Sequence, residues 1–280
     1  MSHEQVTEWL WRAPVIAFIL VGGWETLIPR TSLLMPAGRR WLSNFGMWVV
    51  LALCNYAFVG SGMLGAAQWA EAQGWGLLRN AWVPYWVQWA VGFLIYDFSS
   101  YWLHRASHRF RFLWRLHHVH HSDPDCDLTT ALRFHPSEIL MAQFSTMALV
   151  VLTGPPVTSI FASLLTLTGV SLTTHANVQL PERIDRALGW IFITPDAHHT
   201  HHSAIVSHQM GNYAPMFSFW DRMWGTYIQP VREISEYGLP EVDPDKAIHF
   251  PSMLLDPFVA EIDDLGASPV TPPQPSRGQS

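Results

Sequence analysis

The sequence contains 280 residues, of which 49% are hydrophobic and 14% are charged. Ordinary soluble domains carry roughly 25% charged residues, so this composition is typical of a membrane protein. The formal net charge of −6 gives no basis for nucleic-acid binding, and two cysteines, Cys54 and Cys126, are too few for a disulfide framework. Glu4 and Glu8 lie where a signal peptide would be positively charged, so the first residues are not predicted to form one.

Apolar runs along the chain predict about four membrane segments in an all-α, multi-pass protein. Residues 14–28 are short for a helical span, which needs about 20 residues, whereas residues 41–64 and 82–103 are long enough. A polar loop is predicted at residues 65–80, between the two longer spans. The first dozen residues are expected to form a polar arm at the membrane surface.

The fourth apolar stretch, residues 139–174, is interrupted by Gly154-Pro155-Pro156. Two consecutive prolines end a helix, so this stretch is predicted to be a re-entrant hairpin that returns the chain to the side it left. Arginines are concentrated in residues 29–40 and in residues 104–138, and the positive-inside rule places both segments in the cytoplasm. The length of the chain and the lack of a retention signal favour a bacterial inner membrane.

Histidines at helical spacing form three clusters. Residues three or four apart share a helix face, so each cluster is predicted to direct its imidazoles at one point. Eight such ligands exceed the needs of one metal ion and suit two, and neutral imidazole is a common ligand of zinc, copper, iron and nickel. The candidate ligands are His104 and His108, then His117, His120 and His121, and finally His198, His201 and His202.

Other polar residues near the clusters are harder to assign. His118 and His199 point away from the shared faces and are expected behind the ligands or at the surface. His135 and His208 have either a structural role or a role in the site. Asp97 either pairs locally or orients a ligand histidine, as carboxylates behind metal ligands do.

The order of these motifs resembles that of the fatty acid hydroxylase / sterol desaturase superfamily over residues 97–227. The motifs that carry the resemblance are H-R-A-S-H from His104, L-H-H-V-H-H-S from Leu116, R-F-H-P-S-E from Arg133, H-A-N-V from His175, H-H-T-H-H-S from His198 and N-Y-A-P-M-F-S-F-W-D-R-M-W-G-T-Y from Asn212.

The resemblance implies a membrane-embedded di-iron enzyme that uses O₂ and two external electrons to hydroxylate or desaturate an apolar lipid, such as a fatty acyl chain or a sterol. It adds His175 to the eight ligands above, and zinc is able to replace iron in such a site. Some relatives have a further histidine where this chain has Gln179, so the ligands of one metal are expected to differ. The haem-binding H-P-G-G motif does not occur in the sequence, so a separate donor of the ferredoxin or cytochrome b5 type is expected to supply the electrons.

The apolar runs, the motifs and the composition of the tail together predict how the chain is divided. Residues 1–96 are expected to hold the arm and the first spans. Residues 97–230 are expected to be the catalytic domain, with the hairpin inside it and a cytosolic helical cap that holds the dinuclear histidine site. Residues 231–280 are expected to be a polar tail whose last dozen residues are disordered.

Two other classes of function stay open on the residues alone. A metal transporter or metal-storage protein would also use clustered histidines, but transporters place polar ligands near the middle of their spans, and these clusters lie at the ends. A zinc-dependent membrane hydrolase would need a carboxylate beside the metal, as in H-E-x-x-H. Glu138, at the start of an apolar run, is the nearest candidate for that carboxylate.

Overall fold

The computed structural model describes residues 3–60 and 62–259. Within these residues the structure is helical, and no strand occurs apart from two isolated bridges, Phe192–Phe217 and Ser203–Tyr237. The all-α fold class predicted from the sequence is therefore confirmed. In chain order the helices are α1 (His3–Leu27), α2 (Ala37–Phe58), α3 (Gly62–Gln73), α4 (Tyr85–Ser107), α5 (Arg111–His121), α6 (Pro136–Thr153), α7 (Val157–His175), α8 (Glu182–Leu188), α9 (Pro195–His201), α10 (Val206–Gln209), α11 (Phe219–Met223), α12 (Pro244–Ala247) and α13 (Phe250–Val259), with short 3₁₀ turns at Leu77–Arg79 and Leu128–Leu132.

Three stretches have the length and apolar composition of membrane spans: Ala37–Arg79, Pro136–Thr153 and Val157–His175. Large apolar side chains also lie exposed on the outside of the bundle, for example Leu20 on α1 and Leu53 on α2. Exposed apolar surface of this extent indicates contact with lipid. The chain is therefore an integral membrane protein, while the number of crossings, expected to be about four, stays a prediction.

The region after α2 differs from the prediction of one long span followed by a polar loop. Gly60 (φ 59°) and Gly62 (φ 54°) adopt left-handed backbone, which glycine enters without strain, and they separate α2 from α3. The prediction of a loop at residues 65–80 is wrong for the first half of this segment, which is helical. Its small residues are packing residues: Ala67 and Ala70 are fully buried, and α3 packs against α6 and α7.

Helix α4 packs against both α6 and α7. Its Ile95 is buried in one cluster with Val150 of α6 and Ile160 of α7. Gly92 permits the close approach of α7, because a Cβ at this position would lie 2.2 Å from the Oγ of Ser159. This packing fixes the helix that carries the first histidine motif.

A buried ion network lies directly after the histidines of α5. The guanidinium of Arg40 is fully buried and binds the carboxylates of Asp123 and Asp127, with Asp125 at 3.9 Å. Asn44, one turn further along α2, donates a hydrogen bond of 3.2 Å to Asp123. Because buried charges are stable only when paired, this network ties α2 to the end of α5.

Arg133 extends this network to the C-terminal part of the chain. Its guanidinium donates hydrogen bonds to the carbonyl oxygens of Val119 (2.7 Å) and Ala247 (2.6 Å) and to the hydroxyl of Ser122 (2.8 Å). The arginine therefore satisfies a carbonyl in the last turn of α5, where a helix leaves its carbonyls without partners.

The segment expected to be a polar tail is folded in part. Helix α13 packs against α2 and α5, and its Met253 is buried with Met47 and Val119. The last dozen residues, which were predicted to be disordered, lie outside the described residues. The predicted boundaries of the three parts of the chain, at residues 96 and 230, stay predictions.

We expect Arg40→Met to lower the free energy of unfolding by about 3–5 kcal/mol, because the carboxylates of Asp123 and Asp127 would stay buried without a counter-charge. Arg39→Met is the matched control, since Arg39 is exposed and its contact with Asp245 is 3.4 Å long. Thermal unfolding in detergent, followed by circular dichroism, compares the two variants. Equal melting temperatures would contradict the role given to Arg40.

Candidate metal centre

The nine histidines expected to be ligands come together in two groups. Within each group, one ring nitrogen from every histidine lies within 4.8 Å of those from the others. Every ring is buried except that of His104, which is half-buried. The first group contains His104, His108, His117, His121 and His201, and the second contains His120, His175, His198 and His202.

Each H-x-x-H-H motif is divided between the two groups, contrary to the expectation that a cluster points at one spot. On α5, His117 and His121 face the first group, and His120 faces the second. In the motif at α9 the assignment to the two groups is the opposite: His198 and His202, four residues apart, belong to the second group, and His201 belongs to the first. The reason is helical geometry: adjacent residues are rotated by about 100° around the axis.

The spacing of the ring nitrogens fits metal coordination. The Nε2 atoms of His104 and His201 are 2.9 Å apart, as are those of His175 and His198. The Nε2 atoms of His120 and His175 are 3.2 Å apart. Neighbouring nitrogens at right angles on one ion, each at about 2.1 Å from it, would be about 3 Å apart. These contacts therefore match pairs of ligands on one metal ion.

Several buried ring nitrogens have no hydrogen-bond partner among the described residues. They include Nε2 of His117 and His202, Nδ1 of His198, and both nitrogens of His108 and His121. Buried polar atoms are otherwise nearly always paired, and a metal ion would satisfy several of these at once. The residues present therefore fit a metal in each group.

Backbone carbonyls determine which nitrogen of three rings faces inward. Nδ1 donates to a carbonyl at 2.7 Å in each case: His104 to Tyr213, His201 to Gly211, and His175 to Ser171. Because a carbonyl oxygen only accepts, Nδ1 must carry the proton in these rings. Nε2 therefore presents its lone pair to the other histidines, as a metal ligand requires.

Glu138 holds a fourth ring, a role that was not predicted from the sequence. Its Oε1 accepts a hydrogen bond of 2.7 Å from Nδ1 of His117, which leaves Nε2 of that ring to face the first group. Asp97, the residue considered for such a role, accepts a 2.7 Å hydrogen bond from the indole of Trp220 instead. The signal in the sequence was the His135-Pro136 pair, which marks the start of a helix and therefore places Glu138 in the first turn of α6.

The loop that holds His104 and His201 is itself fixed by Asp221. The Asp221 carboxylate accepts hydrogen bonds of 2.9 Å from the amides of both Tyr213 and Ala214. The preceding Asn212 has φ 56°, a left-handed conformation that asparagine tolerates. These contacts explain why the N-Y-A-P and W-D-R segments accompany the histidines.

Burial keeps the rings in the form that binds metal. It lowers the pKa of His121, His198 and His202 well below the ordinary value for histidine, and the neighbouring rings lower it further. These imidazoles are therefore neutral at neutral pH, and neutral imidazole is the metal-binding form.

Four further histidines lie outside both groups. His118 is buried, not at the surface, and both nitrogens of His199 have partners: the hydroxyl of Tyr237 (2.6 Å) and the carbonyl of Ala176 (2.9 Å). Nδ1 of His135 accepts from the amide of Ser137 and caps α6, while Nδ1 of His208 contacts the hydroxyl of Ser203. These contacts are those of structural residues.

Gln179 also lies outside the groups. Its amide donates to the carbonyl of Arg232 (3.1 Å) and lies 3.5 Å from the carboxylate of Asp196. The second group has four histidines where the first has five. The two candidate metals would therefore have different ligand sets.

A cavity of about 370 Å³ reaches the histidines from between α2, α4, α6 and α7. It extends along α4 from His104 to Tyr96, eight residues away. At a rise of about 1.5 Å per residue this is about 12 Å. Its apolar lining includes Trp48, Leu51, Leu103, Ile139, Leu164 and Leu167. The cavity therefore has an apolar interior and ends at the candidate metals.

Residues 89–226 match the fatty acid hydroxylase family. Through this segment the chain belongs to that family. The matched residues contain all nine histidines of the two groups, together with Glu138 and Asp221. No solved structure matches the chain.

Three relatives illustrate the chemistry found in proteins of similar sequence. Alkylglycerol monooxygenase of Xenopus tropicalis is 33% identical over 168 residues, covering 58% of this chain and 35% of the relative. Ornithine lipid hydroxylase OlsE of Rhizobium tropici is 32% identical over 146 residues, covering 52% and 43%. Very-long-chain aldehyde decarbonylase GL1-11 of Oryza sativa subsp. indica is 29% identical over 155 residues, covering 54% and 58%. The chain thus spans less than two thirds of the length of each.

We expect about two metal ions per chain in the parent protein, one for each group of nitrogen ligands. His121→Ala and His198→Ala should each lower the metal content, because each removes a ring from one group. His118→Ala is the control, since His118 lies on the same helix as His121 but outside both groups. Elemental analysis of purified protein measures these contents. An equal loss from His118→Ala would contradict the assignment of ligands.

We expect Glu138→Gln to weaken metal binding about 10- to 100-fold, because the charged acceptor behind His117 is removed. Asp97→Asn is the control: this carboxylate is also buried, but it binds an indole and not a ligand histidine. Competition with a chelator gives the metal affinity of both variants. Similar weakening in both would mean that the carboxylates act through the fold.

Proposed function

We propose that the chain is an O₂-dependent oxidoreductase that hydroxylates an apolar lipid of the membrane. The observation that carries the proposal is the apolar cavity that ends on rings of both histidine groups, among them His104 and His117 of the first and His175 of the second. A hydrocarbon chain in that cavity would present a C–H bond to the candidate metals. The family, and relatives whose names describe a monooxygenase and a lipid hydroxylase, support this class of reaction.

We propose iron as the metal of both groups. Shells of four and five imidazoles suit iron as well as zinc, and membership of the family favours iron. Bound iron would supply the reduction and activation of O₂ that attack on an unactivated C–H bond requires. Zinc, which has no redox chemistry, would bind the same rings without supporting this reaction.

The residues of this chain orient the ligands and the substrate. The carbonyls of Tyr213 and Gly211 and the carboxylate of Glu138 hold their rings with Nε2 inward. The leucines of the cavity, such as Leu51 and Leu164, contact the hydrocarbon chain and exclude water from it. Fixed ligands and a fixed chain together determine which carbon lies next to the metals.

The proposed reaction needs an external source of electrons. One oxygen atom of O₂ enters the C–H bond and the other leaves as water, which consumes two electrons and two protons. We propose that a separate donor of the ferredoxin or cytochrome b5 type supplies them. We also propose that the histidine end of the bundle lies in the cytoplasm of a bacterial cell, on the same side as the arginine-rich segments of the chain. Desaturation consumes the same equivalents and is the alternative outcome at this site.

The rival functions fit the geometry less well. A zinc-dependent hydrolase would need a carboxylate to accept a proton from water. The Oε1 of Glu138 is engaged by His117, which leaves only its Oε2, without a partner among the described residues, for that role. A transporter would place its ligands in the middle of the spans, whereas His175 is the last residue of α7 and His104 lies in the last turn of α4.

The proposal is tested by turnover of a defined lipid. Iron-loaded protein in detergent is supplied with ferredoxin, its reductase and 1-O-hexadecylglycerol or a hexadecanoyl lipid under ¹⁸O₂. A product with one ¹⁸O atom on carbon supports hydroxylation, and an alkene supports desaturation. His118→Ala should retain this activity and His117→Ala should lose it. Metal-dependent hydrolysis without O₂ uptake would favour the hydrolase.

We expect Ala142→Phe to lower kcat/KM by about 100-fold with the metal content unchanged, because the new ring fills the cavity and displaces the chain from the metals. Ser145→Phe is the control, since Ser145 lies on the same helix but is exposed on its outer face. The same assay, combined with elemental analysis, tests both variants. Unchanged activity of Ala142→Phe would show that the cavity does not hold the substrate.

A further inference from the structure

A second pocket, of about 300 Å³, lies outside the metal centre. It is formed by α8, the turn after it, the start of α9 and the segment after α11. Its lining contains three arginines and three carboxylates, so it presents both signs of charge. These residues are Arg186, Arg222 and Arg232, and Glu182, Asp185 and Asp196.

The two signs of charge are not fully neutralised by contacts within the protein. Asp185 is 6% exposed, and its Oδ1 has no hydrogen-bond partner among the described residues. Asp196 is paired with Arg232 at 2.6 Å and also with Arg30, whereas Arg186 contacts only the exposed Glu182 among the pairs of this pocket. The Asp185 carboxylate has a hydrogen bond to the side chain of Thr194, but a buried carboxylate oxygen without a partner is costly, and a cationic group bound beside Asp185 would offset that cost.

Arg222 forms the opposite wall. Its guanidinium lies 3.7 Å from the centre of the Tyr227 ring and 4.6 Å from that of Trp190, and it donates to the carbonyl of Gly189 at 2.9 Å. The Nε of Arg222 is buried without a partner. Stacking holds the guanidinium in place, so its charge is preorganised for an anionic group.

Apolar side chains lie exposed on α8 and in the turn after it, where Trp190 also lines the pocket. Ile184, Leu188, Trp190 and Ile191 are 49%, 42%, 66% and 54% exposed. They follow closely after α7, which is long and apolar enough to span the membrane. Short amphipathic segments with exposed tryptophan at the end of a span lie in the membrane interface. The pocket therefore opens where lipid headgroups and the first part of their chains are found.

We propose that this pocket binds the zwitterionic headgroup of a membrane lipid that carries a primary ammonium group. The ammonium contacts Asp185, the anionic group contacts Arg186 and Arg222, and the chains of the lipid lie on the apolar surface of α8. A headgroup that carries both signs of charge matches the two signs of charge that line the pocket. The site is separate from the metal centre and does not depend on the reaction proposed above.

The test is lipid binding to the purified full-length protein in detergent, measured by native mass spectrometry. We expect phosphatidylethanolamine to bind more tightly than phosphatidylglycerol, which has no ammonium group. Asp185→Asn should weaken phosphatidylethanolamine binding about tenfold and leave phosphatidylglycerol binding unchanged, because a charge-assisted hydrogen bond is removed. Arg186→Gln should weaken both about threefold, since this arginine is exposed.

Arg183→Gln is the matched control, because Arg183 is exposed on the same helix but does not line the pocket. Equal effects of Arg183→Gln and Arg186→Gln would overturn the proposal in favour of a general basic surface. Equal binding of the two lipids, with no effect of Asp185→Asn, would also overturn it. Circular dichroism shows whether Asp185→Asn is folded, and if it is not, the preference of the parent protein for phosphatidylethanolamine over phosphatidylglycerol tests the proposal without this variant.

Competition by the free headgroup, glycerophosphoethanolamine, distinguishes a site for a lipid from a site for a soluble zwitterion with the same charged groups. Weak competition by it supports a site for lipid, because the apolar chains then contribute to binding. Competition as strong as that of the lipid would overturn the assignment and identify a site for a soluble zwitterion.

Discussion

The structure depends on one constraint: nine imidazoles must stay neutral, out of water, and turn their lone pairs toward two points. Burial alone disfavours the charged form, but it does not orient a ring. Orientation comes from acceptors placed behind the rings, which are the carbonyls of Ser171, Gly211 and Tyr213 and the carboxylate of Glu138. The helices and loops of the second half of the chain are arranged so that these acceptors meet the outer nitrogens.

The ion networks behind the site serve the same constraint. Arg40 and Arg133 lie against the end of α5, which supplies rings to both groups. A second network, in which Arg30 and Arg232 bind Asp196, fixes the start of α9, which does the same. Buried charges of this kind add little net stability, but they allow few alternative arrangements. They therefore hold the two ring-bearing helices in one register, and the apolar bundle supplies most of the free energy of folding.

Spacing and motif order were sufficient to name the nine histidines that come together, but spacing wrongly predicted that each cluster points at one spot. The break at Gly154 and the helical fold class also follow from prolines and periodicity. What failed were features that depend on contacts between distant segments. Glu138 and Asp97 are both carboxylates near the ends of apolar runs, and only the position of α6 relative to α5 makes Glu138 the partner of His117. Likewise, α3 resembled a loop because alanine and glycine are common both in loops and in closely packed helices. Its packing against α6 stabilises the helix, and that contact is not visible in the sequence.

Because α5 and the motif at α9 each contribute histidines to both groups, the chain order determines when a complete set of ligands can form. The first group includes His201 and the second includes His198 and His202, so neither can be completed before α9 has been synthesised. By then α6 and α7 already precede it in the chain, so a complete set of ligands forms only after the apolar helices have been made. A metal ion that needs the complete set would therefore bind to helices that are already formed, unlike in zinc fingers, where the metal drives folding.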